Sequence, residues 1–560
     1  MKRSSLYCKL GALSLAGVML SAGFLGNVPA EAKWKGDSSA DTRFTDSLQL
    51  EKIGNFSTGM TDKDGGVAEI VKYNSDNRKF YVINGKQQTI DIVSLAKLAS
   101  GKKQELIKEK SLDMAGAVNS NTFQYGDVTS IDIHTKKNII AVAIQEADYT
   151  KRGKIVVLDY EGNLLKTFDA GVQPDMVKIS ENGRYIVSAD EGEPREGLEK
   201  GIDPEGSVTI ADLKSGSVKR TLFHDKNVID DKVHIRNHGT KADAVRDFEP
   251  EYIALDENGS TAYVTLQENN AIAAVDLKEG KVKSVKSLGY KEHSLPGNEL
   301  DAARNDQIEL ERLPVLGAYM PDSVAYMKIK GKEYLVTANE GDATEWEEFE
   351  NIADFKDVKN SISLDSSLFK GMSEAKAEET FEYMKKSGKF DKLEILTDRG
   401  TDAVYTLGGR SFSVWKADTM ELVYDSGSDF ETVTSERYPD VFNWSNDDTA
   451  FEKRSAKKGP EPEDVKIGKI GKDVYAFIGL ERIGGVMAYN VSNPASPEFA
   501  NYFNTRDFSA AIAGDVSPEG LEFISAKNSP TGKAMVLVGN EVSGTVSVNE
   551  IGKVKNKKNE

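Results

Sequence analysis

From about residue 65 onward, apolar and polar positions alternate in short runs with a period of two rather than 3.6. Runs such as Tyr185-Ile186-Val187 and Tyr334-Leu335-Val336 are β-branched and aromatic, and polar turns, often Asn-Gly or Lys-Gly, separate them. That pattern predicts short antiparallel strands and excludes a helical solenoid. The runs recur as a larger unit. The clearest copy, PDMVKISENGRYIVSADEGEP, begins at Pro174; others begin at Pro250, Pro321, Pro462 and Pro518, with weaker members from Gly65 and Gly126. A copy opens on a short strand, in most cases after Pro-Asp or Pro-Glu. It then crosses a polar turn, runs a second strand into an acidic loop and adds two more strands. Seven such copies predict an all-β fold, a seven-bladed β-propeller over residues 43–551. The last copy supplies only three strands, ending near Ile551. Phe44 to Phe56 alternates like a strand without a copy of its own, so it is expected to complete the last blade and cover its open edge.

Two insertions break the repeat, at about 224–246 and 344–407, the longer with a helical-looking stretch from Ser373 to Ser387. Excursions of this length act as lids or binding loops, or remain solvated decoration.

The N-terminus adds a compartment. Lys2, Arg3 and Lys9 precede an apolar run from Leu10 to Gly26, followed by Ala30-Glu31-Ala32. This is the layout of a secretory signal peptide over residues 1–32, and the run is a poor membrane span. The sole cysteine, Cys8, lies inside it, so the mature chain is expected to lack disulfides, thiolate metal sites and a cysteine nucleophile. With 90 acidic against 72 basic residues the whole chain carries −18. Loss of the peptide makes that more negative. Such a chain is a poor partner for nucleic acid or anionic membranes and a good host for hard cations. A secreted, extracellular or loosely wall-associated protein is expected, with residues 552–560 a charged tail and no membrane span in the mature chain.

The acids themselves repeat. First strands of six copies open with Asp127, Asp175, Glu251, Asp322, Glu463 and Glu519, and second strands end with Glu146, Glu191, Glu268, Glu340, Glu481 and Glu541. One hairpin separates the two sets, so both lie at the same end of a blade, on the rim of the central channel. Two carboxylates about 6 Å apart repel by roughly 3 kcal/mol at an effective dielectric of ~20. A crowded rim must therefore protonate, pair with Arg or Lys, or bind a cation. Oxygen ligands without cysteine point to Ca²⁺, with Mg²⁺ as the alternative. The candidate metal ligands are Asp175, Glu191, Glu251, Glu268, Asp322, Glu340, Glu463, Glu481 and Glu519. The richest clusters are Asp190 to Glu193, Asn339 to Asp342 and Glu461 to Asp464. The competing reading is that the acids only bond to backbone N–H groups and fix blade geometry. Arg195, Arg246 and Arg482 stand beside the acidic motifs as candidate anion-binding groups, or as neutralising charges.

Hydrolase, phosphate-loop and zinc-protease motifs are absent, so no catalytic residue is assigned. The motifs PDMVKISENGRYIVSADEGEP, FEPEYIALDENGSTAYVTLQENNAIAAVDL, MPDSVAYMKIKGKEYLVTANEGDA and SPEGLEFI resemble the choice-of-anchor I family, which also includes sea-urchin mesenchyme-specific cell-surface glycoproteins. The resemblance implies an exported propeller displayed at or beyond the cell surface; some members carry an alkaline phosphatase label. The reading favoured is a propeller that binds divalent cations and an unknown extracellular ligand, a phosphoester, or a mineral or cell-wall surface. The alternatives are a calcium-dependent phosphomonoesterase acting at the channel mouth and a protein-interaction platform.

Overall fold

The computed structural model describes residues 42–199, 201–346 and 349–554. The expected signal peptide and residues 555–560 of the tail lie outside that range. Within it the chain is all-β with few helices. Among the described residues, seven sheets share one antiparallel plan: four are built of four consecutive strands, two are four-stranded but skip intervening strands, and one is a five-stranded variant. Their first strands are Val71–Asn74, Tyr125–His134, Pro174–Ile179, Pro250–Leu255, Val324–Ile329, Pro462–Ile470 and Pro518–Ile524. Each first strand packs against the first strands of the preceding and following sheets, and Pro518–Ile524 packs against Val71–Asn74. This is the β-propeller plan.

The core lies between neighbouring sheets. Val187, Ala189 and Val208 of one sheet meet Val264, Ala273 and Val275 of the next. Val336 and Val414 meet Ile478 and Met487 in the same way. Because a sheet is covered on both faces, its middle strands bury every residue, as in Ile139–Glu146. That is why those strands read as continuous apolar runs while the outer ones alternate. The variant sheet takes its fourth strand from the other end of the chain. Leu48–Ser57 runs antiparallel to Thr545–Lys553, from Leu48 opposite Lys553 to Ser57 opposite Thr545. Gln104–Leu106 adds a short parallel strand on its far side.

Residues 344–407 separate the second and third strands of one sheet, Lys332–Asn339 and Ser411–Lys416. The helix foreseen there spans Glu374–Ser387. The Ser373 hydroxyl caps it by accepting the Lys376 N–H at 3.2 Å, and Gly388 at φ 71° ends it. Ala377, Phe381 and Met384, three and four apart, form its buried stripe. Two further excursions, 288–323 and 426–461, contribute the strand Val315–Ala318 and the helix Asp429–Arg437.

The excursions interlock over one end of the ring. His234 lies 2.9 Å from Asp398, the Arg236 guanidinium lies 4.5 Å from the Trp346 ring, and Lys457 pairs with Glu394. No helix among the described residues is long and apolar enough to cross a membrane.

Candidate functional site

A recurring loop sets the acids in place. Gln173, Met320, Glu461 and Ser517, each directly before a proline, hold left-handed backbone with φ of 52°, 45°, 54° and 67°. Such conformations cost non-glycine residues on the order of 1–3 kcal/mol. A repeated hydrogen bond holds them. The N–H groups of Glu191, Gly341, Glu481 and Glu541, at the ends of the second strands, donate to the carbonyls of these four residues at 3.0, 3.0, 2.8 and 2.9 Å. Immediately after the proline the strand pairing slips, at Pro174/Met176, Pro250/Ile253, Pro462/Val465 and Pro518/Gly520. Asp175, Glu251, Glu463 and Glu519 sit in those bulges, which turn a strand residue out of its regular direction. In the sheets opened by Pro174, Pro462 and Pro518, proline, strained residue and bulge together deliver two acids to one rim.

The rim is crowded and buried. Asp175, Glu191, Glu251, Asp322, Glu340, Glu463, Glu481 and Glu519 are all buried, and Glu268 is half-buried. Burial and then the negative charge of Glu268 hold the Glu251 carboxyl well above the usual range. For Glu191 the causes are burial, then Asp175 and Glu193. For Glu463 they are burial, then Asp322, Glu519 and Glu340; for Glu519, burial, then Glu541 and Asp322. Glu541 is pushed to about 8 by burial, Glu481 and Glu69. The sequence-derived acids thus influence one another around one continuous ring.

Two groups within it have the spacing of a metal site. Oxygens of Asp322, Glu340 and Glu463 lie within 4.8 Å of one another, and so do oxygens of Glu340, Glu461 and Glu481. Ca²⁺–oxygen distances of 2.3–2.6 Å place opposite ligands about 5 Å apart, so both groups pass on geometry. Their surroundings differ. Lys458 pairs with Glu340 and, at 3.1 Å, with Glu461. Arg454 pairs with Glu461, and Arg482 reaches Glu461 at 2.9 Å and Glu481 at 3.2 Å. The second group is therefore laced with cationic side chains. In the first, Glu463 Oε2 is buried and finds no donor among the described residues, and the same is true of Glu251 Oε2 nearby on the ring.

Three residues beyond an acid in the first strands stands a lysine that the sequence reading passed over: Lys72 after Glu69, Lys178 after Asp175, Lys466 after Glu463. The spacing was the available signal. Lys72, Lys466 and Tyr252 line the same internal cavity as Asp322, Glu463 and Glu519.

The choice-of-anchor I domain matches residues 69–494, about three-quarters of the chain. The chain belongs to the choice-of-anchor I family. Within this choice-of-anchor I protein the three arginines singled out in sequence do not converge. Arg195 is exposed beside Glu191, at 3.7 Å, and Glu193, at 3.3 Å. Arg246 is exposed and donates to the Asp203 carbonyl, while Arg482 lies in the ring between Glu461 and Glu481. Among curated proteins, Gigasin-3a of Magallana gigas is 31% identical over 178 residues, 28% of this chain and 63% of that protein. The mesenchyme-specific cell surface glycoprotein of Strongylocentrotus purpuratus is 29% identical over 344 residues, 55% of this chain and 41% of that one. The choice-of-anchor I chain thus spans less than two-thirds of the length of either relative. Among solved structures, Kuenenia stuttgartiensis hydrazine synthase aligns over 89% of this chain and 99% of its own at 12% identity, with a TM-score of 0.43. The β-propeller domain of Myceliophteria thermophila Cps50 (Swd1) aligns over 88% and 99% at 8% identity, with a TM-score of 0.42. At such scores the propeller reading rests on this chain's own sheets.

Proposed function

We propose that the chain is a seven-bladed propeller, closed by Leu48–Ser57 and displayed outside the cell, whose carboxylate ring binds Ca²⁺, or Mg²⁺ in its place, while the roof of excursions engages an extracellular ligand or surface. The extracellular part draws on the signal-peptide pattern and on the cell-surface glycoprotein among the relatives. The cation part is carried by one observation: Glu463 Oε2 is buried without a donor among the described residues, within a group whose oxygens lie within 4.8 Å. A purely structural carboxylate would have its oxygens satisfied by N–H groups, since a buried unsatisfied oxygen costs about 1–3 kcal/mol, more when charged. A divalent cation at Asp322, Glu340 and Glu463 removes both that penalty and the mutual repulsion.

A metal inventory of the purified protein, followed by calorimetric Ca²⁺ titration after chelation, tests this reading. Saturable binding weakened about tenfold, near 1.4 kcal/mol, by Glu463→Gln and by Asp322→Asn is expected. Absence of both copurifying metal and a Ca²⁺-dependent rise in melting temperature sinks it.

A further inference from the structure

Asp322, Glu340 and Glu463 are all buried, so an ion that binds them needs a way in. The roof over the ring is not equally firm on its two sides. Toward residues 426–461 it is pinned by the buried Arg410. Arg410 Nη1 donates to the Asp301 carbonyl and to Glu431 at 2.8 and 3.0 Å. Its Nη2 donates to the carbonyls of Ser455 and Lys457, both at 2.7 Å.

The opposite edge is a seam between two separately packed bodies. Phe355, Phe381 and Phe390 of the long insertion pack with Leu300 and Val315 of residues 288–323. Val233 and Ile235 of the first insertion pack instead with Val187 and Val264 of the third and fourth sheets. Among the described residues no buried apolar cluster takes members from both insertions. What crosses the seam is polar: His234 against Asp398 at 2.9 Å and Arg236 over the Trp346 ring.

Arg399 stands at the inner end of this seam, with its side chain fully buried. Its Nη2 donates to the carbonyl of Glu268, a member of the ring, at 2.6 Å. Its Nε and Nη1 find no acceptor among the described residues, and Asp398 Oδ1 finds no donor. Nε and that oxygen are 3.6 Å apart, beyond hydrogen-bonding distance. Burial lowers the guanidinium to about 9. Arg410 is thus held by four acceptors and Arg399 by one. Buried polar groups short of partners favour a motion that admits water. The loop that carries Arg399, residues 397–403, is tied only toward its ends. Thr397 N–H donates to the Asn351 carbonyl, and the Thr401 and Asp402 carbonyls accept from Ser363 and Asp365, all at 2.7 Å. Between these ties lie Asp398, Arg399 and Gly400, the last at φ 137°.

We propose that the loop 397–403 is a gate on the carboxylate ring, with Arg399 as the plug beside Glu268 and the His234–Asp398 contact as the latch that holds it shut. The gate's purpose rests on the cation reading above, whereas its motion does not need the ion. When the latch parts, Asp398 and Arg399 move into water, which supplies the partners they lack, and the ring opens beside Glu268. Neither the latch nor the plug touches Asp322 or Glu463. The gate therefore sets how fast a cation enters and leaves, and not how tightly it is held.

Carbodiimide labelling of Glu251 and Glu463 in the mature chain, read by peptide mass spectrometry in chelator, tests the motion without calcium. Labelling is expected to be slow, and about tenfold faster in His234→Ala and in Arg399→Ala, with the cooperative melt retained. A double variant, His234→Cys with Asp398→Cys, guards against mere loosening of the fold. Bridging its thiols with a cleavable bis-thiosulfonate is expected to stop the labelling, and reductant to restore it. Calcium release into a fluorescent chelator is expected to follow the same order, with Kd changed by less than about twofold. Labelling indifferent to the bridge and to both single substitutions overturns the gate. Calcium release at one rate in every form also overturns it, while the cation reading stands. If calcium binds nowhere, the cation reading falls, and the labelling alone decides whether the loop opens.

Discussion

The two carboxylate groups share Glu340 and the same oxygen spacing, yet they are built under opposite electrostatic conditions. Around Glu340, Glu461 and Glu481 the protein supplies Lys458, Arg454 and Arg482 as resident counter-ions. Around Asp322, Glu340 and Glu463 the ion pair seen among the described residues is that of Lys458 with the shared Glu340, and Glu463 keeps an oxygen without a donor among those residues. Clustered acids alone therefore do not identify a cation site. What separates the two is whether the chain has already neutralised them.

The sharpest way to break this contrast is to remove the shared counter-ion. Lys458→Met leaves Glu340 and Glu461 facing each other while buried, and breaking a buried pair costs about 3–5 kcal/mol. A large fall in melting temperature in chelator is expected, with partial recovery on adding Ca²⁺. An unchanged melt would mean that the lysine neutralises nothing.

Next in size is a pair of opposite effects. Glu481→Gln removes a partner of Arg482 and is expected to destabilise the chelated protein by about 1–3 kcal/mol. Glu463→Gln removes a repelling charge and is expected to stabilise it by about 1 kcal/mol while weakening the calcium response. Equal signs in chemical denaturation would erase the distinction between the groups.

A third, smaller effect is read against pH. Glu463, Glu519 and Glu541 titrate higher in the folded chain than in the unfolded one, with Glu541 near 8 against an ordinary 4.5. Below the unfolded value both states hold the proton, and the groups do not alter stability. As pH rises above it, the unfolded chain ionises first, and stability declines until the folded carboxyl also ionises. In chelator the protein is expected to melt at a higher temperature at pH 5 than at pH 8, and calcium is expected to flatten that slope. The last effect is that of Tyr252→Phe, which loses the hydrogen bond its hydroxyl donates to Asp464 and the one it accepts from Lys466, each worth about 0.5–1.5 kcal/mol, and leaves the calcium response intact.

Much of this arrangement was legible in the chain. The repeated proline-acid openings located the first strands. The acids spaced one hairpin apart came together because a hairpin returns to the end it left. The unpaired alternation near the N-terminus pointed to the strand that pairs with Thr545–Lys553. Less legible was whatever depends on distant segments meeting. Lys458 looked like part of a charged stretch between repeats, and its role follows only from how residues 426–461 lie across the ring. The lysines at a spacing of three were visible in sequence, but alternating strand polarity makes an isolated lysine look solvent-facing. The strained residues before the prolines left little trace, since glutamine, methionine, glutamate and serine share no property that announces left-handed backbone.

The sheet built from both ends of the chain sets an order of events during synthesis. Leu48–Ser57 is made long before its partner Thr545–Lys553. Until that partner is made, the early segment stays unmated on that edge. Completion of this sheet therefore waits on Thr545–Lys553, and a polypeptide that stalls short of it leaves Leu48–Ser57 without its place.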